Sequence, residues 1–276
     1  MRRILLSAVC LFLLIAAPVL GAAGHAEERI EMTLDGSLGN LFGELTIPET
    51  DGPAPLVILS HGFGGNLVGN RGAAACFNAR GFATFNYDFC GGGFGIQSDG
   101  SLVQMTVLTE AQDLNAVIDA FKDDPRFSCI FLWGASQGGF VSCYVAAQRP
   151  EDVAALVMEF PAFVLQDDAK ARALPDGSFP PTSVCMGVTI GRCYNEAAVS
   201  FDIYEHMRGY TGDALILHGD RDRIVPLLYS ERAAETLPSA ELIVMAGQDH
   251  GFAEPARTEA LEHEAAFFEA HLPAGE

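Results

Sequence analysis

The order of apolar segments predicts an α/β domain, a mostly parallel sheet of about eight strands with helices on both faces. Three observations carry this expectation. Short continuous apolar runs, the pattern of strands buried on both sides, alternate with segments of helical periodicity. One run, residues 129–133, passes through Gly134-Ala135-Ser136-Gln137-Gly138 directly into a helix-like segment, 140–148. A single long irregular stretch, residues 160–212, interrupts an otherwise regular rhythm.

Taken in order, residues 30–34 and 41–47 read as two opening strands joined through the turn-rich Asp35-Gly36-Ser37. Residues 56–60 are the first buried strand. Residues 69–80 look helical and end at Gly81, a suitable C-cap. Residues 82–87 form the next strand. Helical spacing then runs through 103–122, carried by Val107, Ala111, Leu114, Val117, Ile118 and Phe121. Residues 153–159 are the sixth strand. The stretch that follows, 160–212, contains four prolines, two cysteines and three tyrosines. It is too long for a simple connection and reads as an inserted lid. Strand 214–217, helix 227–237, strand 241–245 and a final amphipathic helix, 257–271, complete the chain.

The amino terminus reads as an export signal. Arg2 and Arg3 precede an apolar stretch, 4–20, broken only by Ser7 and Pro18. Small residues follow, and cleavage after Ala26 leaves residues 27–276 as one domain, secreted or periplasmic. Gly21-Ala22-Ala23 is a second cleavage candidate. A single membrane anchor is the alternative, and Pro18 with its small neighbours favours cleavage. The 276 residues carry a formal charge of −20. The leader holds basic but no acidic residues, so its removal deepens that charge. Such a surface repels nucleic acid and anionic membranes. Cys76, Cys90, Cys129, Cys143, Cys185 and Cys193 remain. Export permits disulfides, and Cys185 with Cys193, close together in the irregular segment, is the preferred pair. Cys129 and Cys143 read as small buried hydrophobes. No Cys-x-x-Cys occurs, so a zinc or redox role has little support.

The turn at Ser136 has the strand–turn–helix context of a nucleophile elbow. Ala135, Gly138 and Gly139 supply the small residues such a turn needs. A nucleophilic serine requires a base and a group that orients the base. His250 follows the last strand, in Gly247-Gln248-Asp249-His250-Gly251-Phe252, on the face where the elbow presents Ser136. The orienting acid should leave another strand end on that face. By position Asp220, Asp222 and Glu159 all qualify. Asp249 beside His250 suggests a metal site, but no matching ligand cluster appears elsewhere, and neither metal nor cofactor is expected. Two N–H donors should face the oxyanion. Gln137, next to the nucleophile, supplies one. The loop Ser60-His61-Gly62-Phe63-Gly64-Gly65 supplies the other from Phe63. That loop lacks the Gly-Lys-Ser/Thr ending of a P-loop.

With these residues the chain resembles the α/β-hydrolases, in the chain order Ser136, Asp222, His250. The family's acid loop often reads His-Gly-x-x-Asp-x-x-Val-Pro, matched here by His218-Gly219-Asp220-Arg221-Asp222-Arg223-Ile224-Val225-Pro226. The resemblance therefore assigns the acid to Asp222. It covers almost all of residues 27–276, and implies a lid after the sixth strand. Within the family the chain is most similar to small bacterial feruloyl/cinnamoyl esterases. His61-Gly62-Phe63, Ser136-Gln137-Gly138-Gly139 and Ser98-Asp99-Gly100 carry that likeness. Gly134-Ala135 departs from a frequent Gly-His, and Cys90-Gly91-Gly92-Gly93 from a Gly-x-Gly. Serine aminopeptidases of the same fold share such motifs. The resemblance implies a small-molecule ester substrate, hydroxycinnamoyl esters including those attached to plant polysaccharide, split through an acyl-enzyme. An aromatic pocket for the acyl group would draw on Phe160, Phe163, Tyr194, Phe201 and Tyr204, with Tyr194 as the phenol partner. A peptidase would instead need an acidic anchor for a peptide amine, such as Glu196, Asp202 or Glu205. A silent binding protein on this scaffold is the rival from another class.

Overall fold

A computed structural model of the protein describes residues 27–273, and the expected leader, 1–26, lies outside them. Eight strands form one sheet. They are β1 (Glu27–Gly36), β2 (Gly39–Pro48), β3 (Ala54–Ser60), β4 (Ala83–Tyr87), β5 (Phe127–Ala135), β6 (Ala155–Glu159), and two later strands, β9 (Asp213–Gly219) and β10 (Ala240–Met245). Their order is β1-β2-β4-β3-β5-β6-β9-β10. β2 pairs antiparallel with both β1 and β4, and from β4 to β10 every pairing is parallel. The expected α/β sheet is present, with its antiparallel pairings confined to the β1-β2-β4 edge.

The continuous apolar runs have a simple cause. Successive side chains of a strand point to opposite faces, so a strand covered on both sides needs apolar residues at every position. On β3, Leu56 and Ile58 enter one core while Val57 and Leu59 enter the other. On β5, Leu132 and Trp133 divide in the same way. Helices α2 (Val107–Phe121) and α3 (Gln137–Gln148) cover the first face. Helices α1 (Leu67–Asn78) and α8 (Ala256–Ala270) cover the second. Helix α7 (Leu228–Thr236) adds Ala233 to the first core.

The starts of α2 and α3 differ most from the sequence expectation. Helix α2 begins at Val107, not at 103, because Thr106 and Thr109 cap it reciprocally, Thr109 N donating to Thr106 Oγ1 at 2.9 Å and Thr106 N to Thr109 Oγ1 at 2.8 Å. Helix α3 begins at Gln137, not at 140, since the glycines after Ser136 are already helical.

Residues between β6 and β9 fold into their own layer. It holds α4 (Leu165–Ala171), a hairpin of β7 (Thr182–Cys185) and β8 (Val188–Gly191), α5 (Arg192–Ala198) and α6 (Ile203–Met207). Met186 and Gly187 turn the hairpin with φ of 49° and 80°, the left-handed pair that a two-residue hairpin favours. Buried Gln166 ties the layer together. Its amide donates to Ala198 O at 2.7 Å and Phe201 O at 2.6 Å and accepts from Ile203 N at 3.1 Å.

The expected Cys185–Cys193 disulfide is absent, and all six cysteines in the described residues are free thiols. The two sulfurs have different surroundings. Cys185 Sγ accepts from Arg172 at 3.3 Å, whereas Cys193 Sγ lies 3.4 Å from Val103 O. Cys143 is buried as expected, while Cys129 is half-buried.

Candidate active site

Ser136 stands between β5 and α3 with φ 53° and ψ −116°. Backbone in this region costs about 1–3 kcal/mol for a residue with a Cβ and persists only where neighbours enforce it. Here the neighbours are explicit. Ser136 N donates to Glu159 O at 2.9 Å, and Ser136 O accepts from Phe140 N at 3.1 Å and Ala162 N at 2.9 Å. A side chain at Gly134 would collide with the backbone of Gly138, and one at Gly138 with the carbonyl of Ser60. The elbow therefore needs glycine at both positions.

The turn presents the serine hydroxyl to His250, whose Nε2 lies 3.1 Å from Ser136 Oγ. Nδ1 of the same ring lies 2.7 Å from Asp222 Oδ2. His250 leaves the loop after β10, and its ring packs on Phe160 with centroids 4.6 Å apart. Asp222 leaves the loop after β9 and is buried. Its Oδ1 accepts from Ile224 N at 2.8 Å and Val225 N at 2.9 Å. His218 adds a contact from Nε2 to Asp222 Oδ2 at 3.2 Å. Burial works to raise the Asp222 pKa, but the hydrogen bonds from His218, His250 and Val225 N–H outweigh it. The carboxyl is held well below the ordinary carboxylate range. The other two acids are occupied elsewhere. Asp220 Oδ1 accepts from Gly247 N at 2.6 Å and so braces the His250 loop. Glu159 pairs with Arg257.

Two residues beside Ser136 on the same cleft, Phe63 and Gln137, keep their backbone N–H groups free. Among the described residues neither Phe63 N nor Gln137 N donates to another protein group, whereas Gly64 N and Gly65 N are bonded, to Gly92 O and Gly62 O, each at 3.0 Å. His61 holds the Phe63 loop. Its Nδ1 lies 2.9 Å from Gly62 O and its Nε2 accepts from Phe89 N at 3.1 Å. That pair of contacts specifies the neutral imidazole protonated at Nδ1, and burial lowers the His61 pKa accordingly.

A cleft of about 280 Å³ opens on Ser136. Phe63, Gln137, Leu165, Tyr194, Met186 and Ile224 give it a mainly apolar lining, and Asp168 and Arg172 supply its charged side chains. Tyr194 lies in this lining, but its hydroxyl is engaged, donating to Gln137 Oε1 at 2.6 Å. The other end of that amide donates to Glu110 Oε2 at 2.8 Å. Glu110 is fully buried, and burial pushes its pKa well above the usual carboxyl range. Phe163 does not line the cleft as expected. It is buried against Phe140 and Tyr204 at centroid distances of 6.0 and 5.8 Å, packing the inserted layer onto α3. Phe201 and Tyr204 join the same core. A larger cavity of about 510 Å³ lies at the amino ends of β9 and β10, lined by Asp213, Ser239 and His271 but by none of Ser136, Asp222 and His250. Among the described residues no group of three or more His, Cys, Asp or Glu is placed to hold a metal ion.

The family described as serine aminopeptidase, S33 matches residues 51–208. The chain is 25% identical over 221 residues to the mitochondrial palmitoyl-protein thioesterase ABHD10 of Rattus norvegicus, covering 74% of this chain and 72% of the relative. It is 24% identical over 260 residues to a monoacylglycerol lipase of Mycolicibacterium smegmatis, covering 82% and 91%. Its structure is similar to Est1E of Butyrivibrio proteoclasticus with ferulic acid bound, at a TM-score of 0.78 and 25% identity, covering 87% of this chain and 99% of the other.

Proposed function

The chain belongs to the serine aminopeptidase, S33 family of α/β-hydrolases, and from that membership we propose that it is a serine carboxylic-ester hydrolase acting through an acyl-enzyme. The observation that carries the reading is the continuous contact from Ser136 Oγ to His250 at 3.1 Å and from His250 to Asp222 at 2.7 Å, at the wall of an apolar cleft. Ser136 attacks the ester carbonyl while His250 Nε2 takes its proton. Asp222 keeps the imidazole in the tautomer with Nδ1–H and stabilises the imidazolium. The oxyanion is received by Phe63 N–H and Gln137 N–H, a type of contact worth about 10²–10³-fold in rate for each donor. His250 returns its proton to the leaving alcohol, then activates the water that releases the acid.

The proposed substrates are hydroxycinnamoyl, feruloyl-type esters. The cleft volume of about 280 Å³ falls just below the range of about 300–1,000 Å³ typical of ligand sites. The likeness to Est1E with ferulic acid supports an aromatic acyl group. The aminopeptidase alternative draws no support from the acids expected to anchor a peptide amine. Asp202 caps α6 through Tyr204 N at 2.8 Å, Glu205 pairs with Arg208 at 3.7 Å, and none of Glu196, Asp202 and Glu205 lines the cleft. We place the enzyme outside the cytoplasm after removal of residues 1–26, on the pattern of the leader.

The test is turnover of methyl ferulate, p-nitrophenyl butyrate and an aminoacyl-p-nitroanilide by residues 27–276, with Ser136→Ala as control. Ferulate hydrolysis abolished by the substitution is the expected result. Butyrate turnover alone would remove the feruloyl assignment. Anilide cleavage alone would move the protein to peptide substrates.

A further inference from the structure

The cleft beside Ser136 contains one arginine, and its position asks for an explanation. Arg172 closes α4 in the lid and is half-buried. In a chain with formal charge −20, acidic partners are plentiful. Arg80, Arg149, Arg223 and Arg257 each meet a carboxylate; among the described residues Arg192, Arg221 and Arg232 do not, but of the unpaired arginines Arg172 alone lines the cleft. Among the described residues no carboxylate lies within 4.0 Å of the Arg172 guanidinium. It rests on neutral acceptors, Nη1 donating to Asn195 Oδ1 at 2.9 Å and Nη2 to Cys185 Sγ at 3.3 Å. Asn195 is itself fully buried, and its amide donates to Ser183 Oγ at 3.1 Å, which fixes the oxygen toward Arg172.

These contacts hold the guanidinium without neutralising it. A guanidinium carries five N–H donors in a rigid plane, and the two neutral contacts leave the rest unengaged. Tyr194, another polar side chain of the lid wall, already donates its hydroxyl proton to Gln137. Asp168, one turn earlier on α4, also lines the cleft, so attraction must come from directed N–H bonds and not from a net positive field.

We propose that Arg172 is a specificity-determining residue that recognises an oxygen acceptor on the acyl group, remote from the scissile carbonyl, and a carboxylate in preference to a phenol. The substrate class is then aryl acyl groups with a distal oxygen acceptor, the hydroxycinnamoyl phenol among them and a carboxylate bound most tightly. This rests on the ester-hydrolase reading above and narrows it. A forked donor meets a carboxylate with two parallel bonds but a phenol oxygen with only one. A site built to hydrogen-bond a substrate group also rejects the analogue lacking that group, because its own donors are left unpaired.

The experiment compares kcat/KM for methyl 4-carboxycinnamate and methyl 4-isopropylcinnamate, near-isosteric esters that differ in the distal acceptor. Methyl ferulate serves as the intermediate case. Wild type, Arg172→Met, Arg172→Lys and Asp168→Asn are measured at pH 7. Reading the ratio of two substrates on one preparation cancels any loss of folded protein. The expected wild-type ratio favours the carboxylate by about tenfold or more. Arg172→Met brings the ratio to unity or below, Arg172→Lys keeps part of it, and Asp168→Asn increases it. A wild-type ratio at or below one overturns the proposal, even if no variant folds. So does a ratio that survives Arg172→Met. If these esters turn over equally and Ser136→Ala abolishes turnover, only the role of Arg172 fails. If no ester is cleaved, p-nitrophenyl butyrate included, the hydrolase reading fails and this proposal with it.

Discussion

Asp222→Asn is the substitution whose consequence the geometry fixes most closely. Asp222 Oδ1 accepts from Ile224 N and Val225 N at 2.8 and 2.9 Å. An asparagine must keep its oxygen there, because its amide would oppose two N–H donors. The NH₂ then takes the place of Oδ2, facing His250 Nδ1 and His218 Nε2. A donor facing Nδ1 forces His250 into the tautomer protonated at Nε2, which cannot accept the Ser136 proton. The loss expected for a wrong tautomer in a serine triad is about 10⁴-fold in kcat. Stability should fall less, by roughly 1–3 kcal/mol, since the NH₂ meets His218 in place of an acceptor. The assay is p-nitrophenyl butyrate hydrolysis with a parallel thermal melt. A folded variant retaining activity within tenfold of wild type would refute the argument that Asp222 sets the tautomer.

Further outcomes follow from the same packing. At Gly138 a methyl group would collide with backbone carbonyls of Ser60 and His61. Gly138→Ala should therefore destabilise by about 1–3 kcal/mol or more, visible as a lower melting temperature. At Gly62 an added Cβ would lie 3.2 Å from Ser136 Cβ and 3.8 Å from Ser136 Oγ. Gly62→Ala should shift the melt less than Gly138→Ala while lowering esterase activity at least tenfold; equal effects on melting would count against the distinction. Glu264 is fully buried and accepts from Trp133 Nε1 at 2.9 Å, and burial together with Glu159 raises its pKa well above the usual range. The folded state thus keeps a proton that the unfolded chain releases near pH ~4.3. The associated stability is complete below that pH and is lost as pH rises toward the folded value. Glu264→Gln should raise the melting temperature at pH 8 relative to wild type, with little gain at pH 4; a gain confined to low pH would reverse the sign. Free thiols at Cys185 and Cys193 predict alkylation of both in the unfolded protein without prior reduction, read by peptide mass spectrometry.

Most of the fold could be read from one property, the unbroken apolar runs. Leu56–Leu59 and Phe131–Trp133 alternate between two cores, and only a sheet covered on both sides requires that. The reacting residues were legible for a related reason. A parallel sheet sends its loops to one face, so Ser136 and His250 could be brought together by strand order alone. Strand order did not single out the acid, since Asp220, Asp222 and Glu159 all leave strand ends; the likeness of residues 218–226 to the family's acid loop chose Asp222, and hydrogen bonding separates it from the two engaged by Gly247 and Arg257. The buried supports were less visible. Glu110 lies on the same helical stripe as Val107 and Leu114, which was a signal, because an acid there must be buried. His218 and Arg172 gave none, as their roles depend on partners distant in sequence. The lid was the hardest to read. Its aromatics have no periodicity to show which face the cleft, and Phe163, chosen for substrate, packs on Phe140 instead.

The central claim is that Ser136 is the nucleophile of an acyl-enzyme. Its most direct test is peptide mapping after reaction with a fluorophosphonate, on wild type, Ser136→Ala and His250→Ala. A single stoichiometric adduct on Ser136, absent in Ser136→Ala and slowed at least a hundredfold in His250→Ala, is the predicted result. An adduct at another residue, or ester hydrolysis that persists in Ser136→Ala, would contradict it.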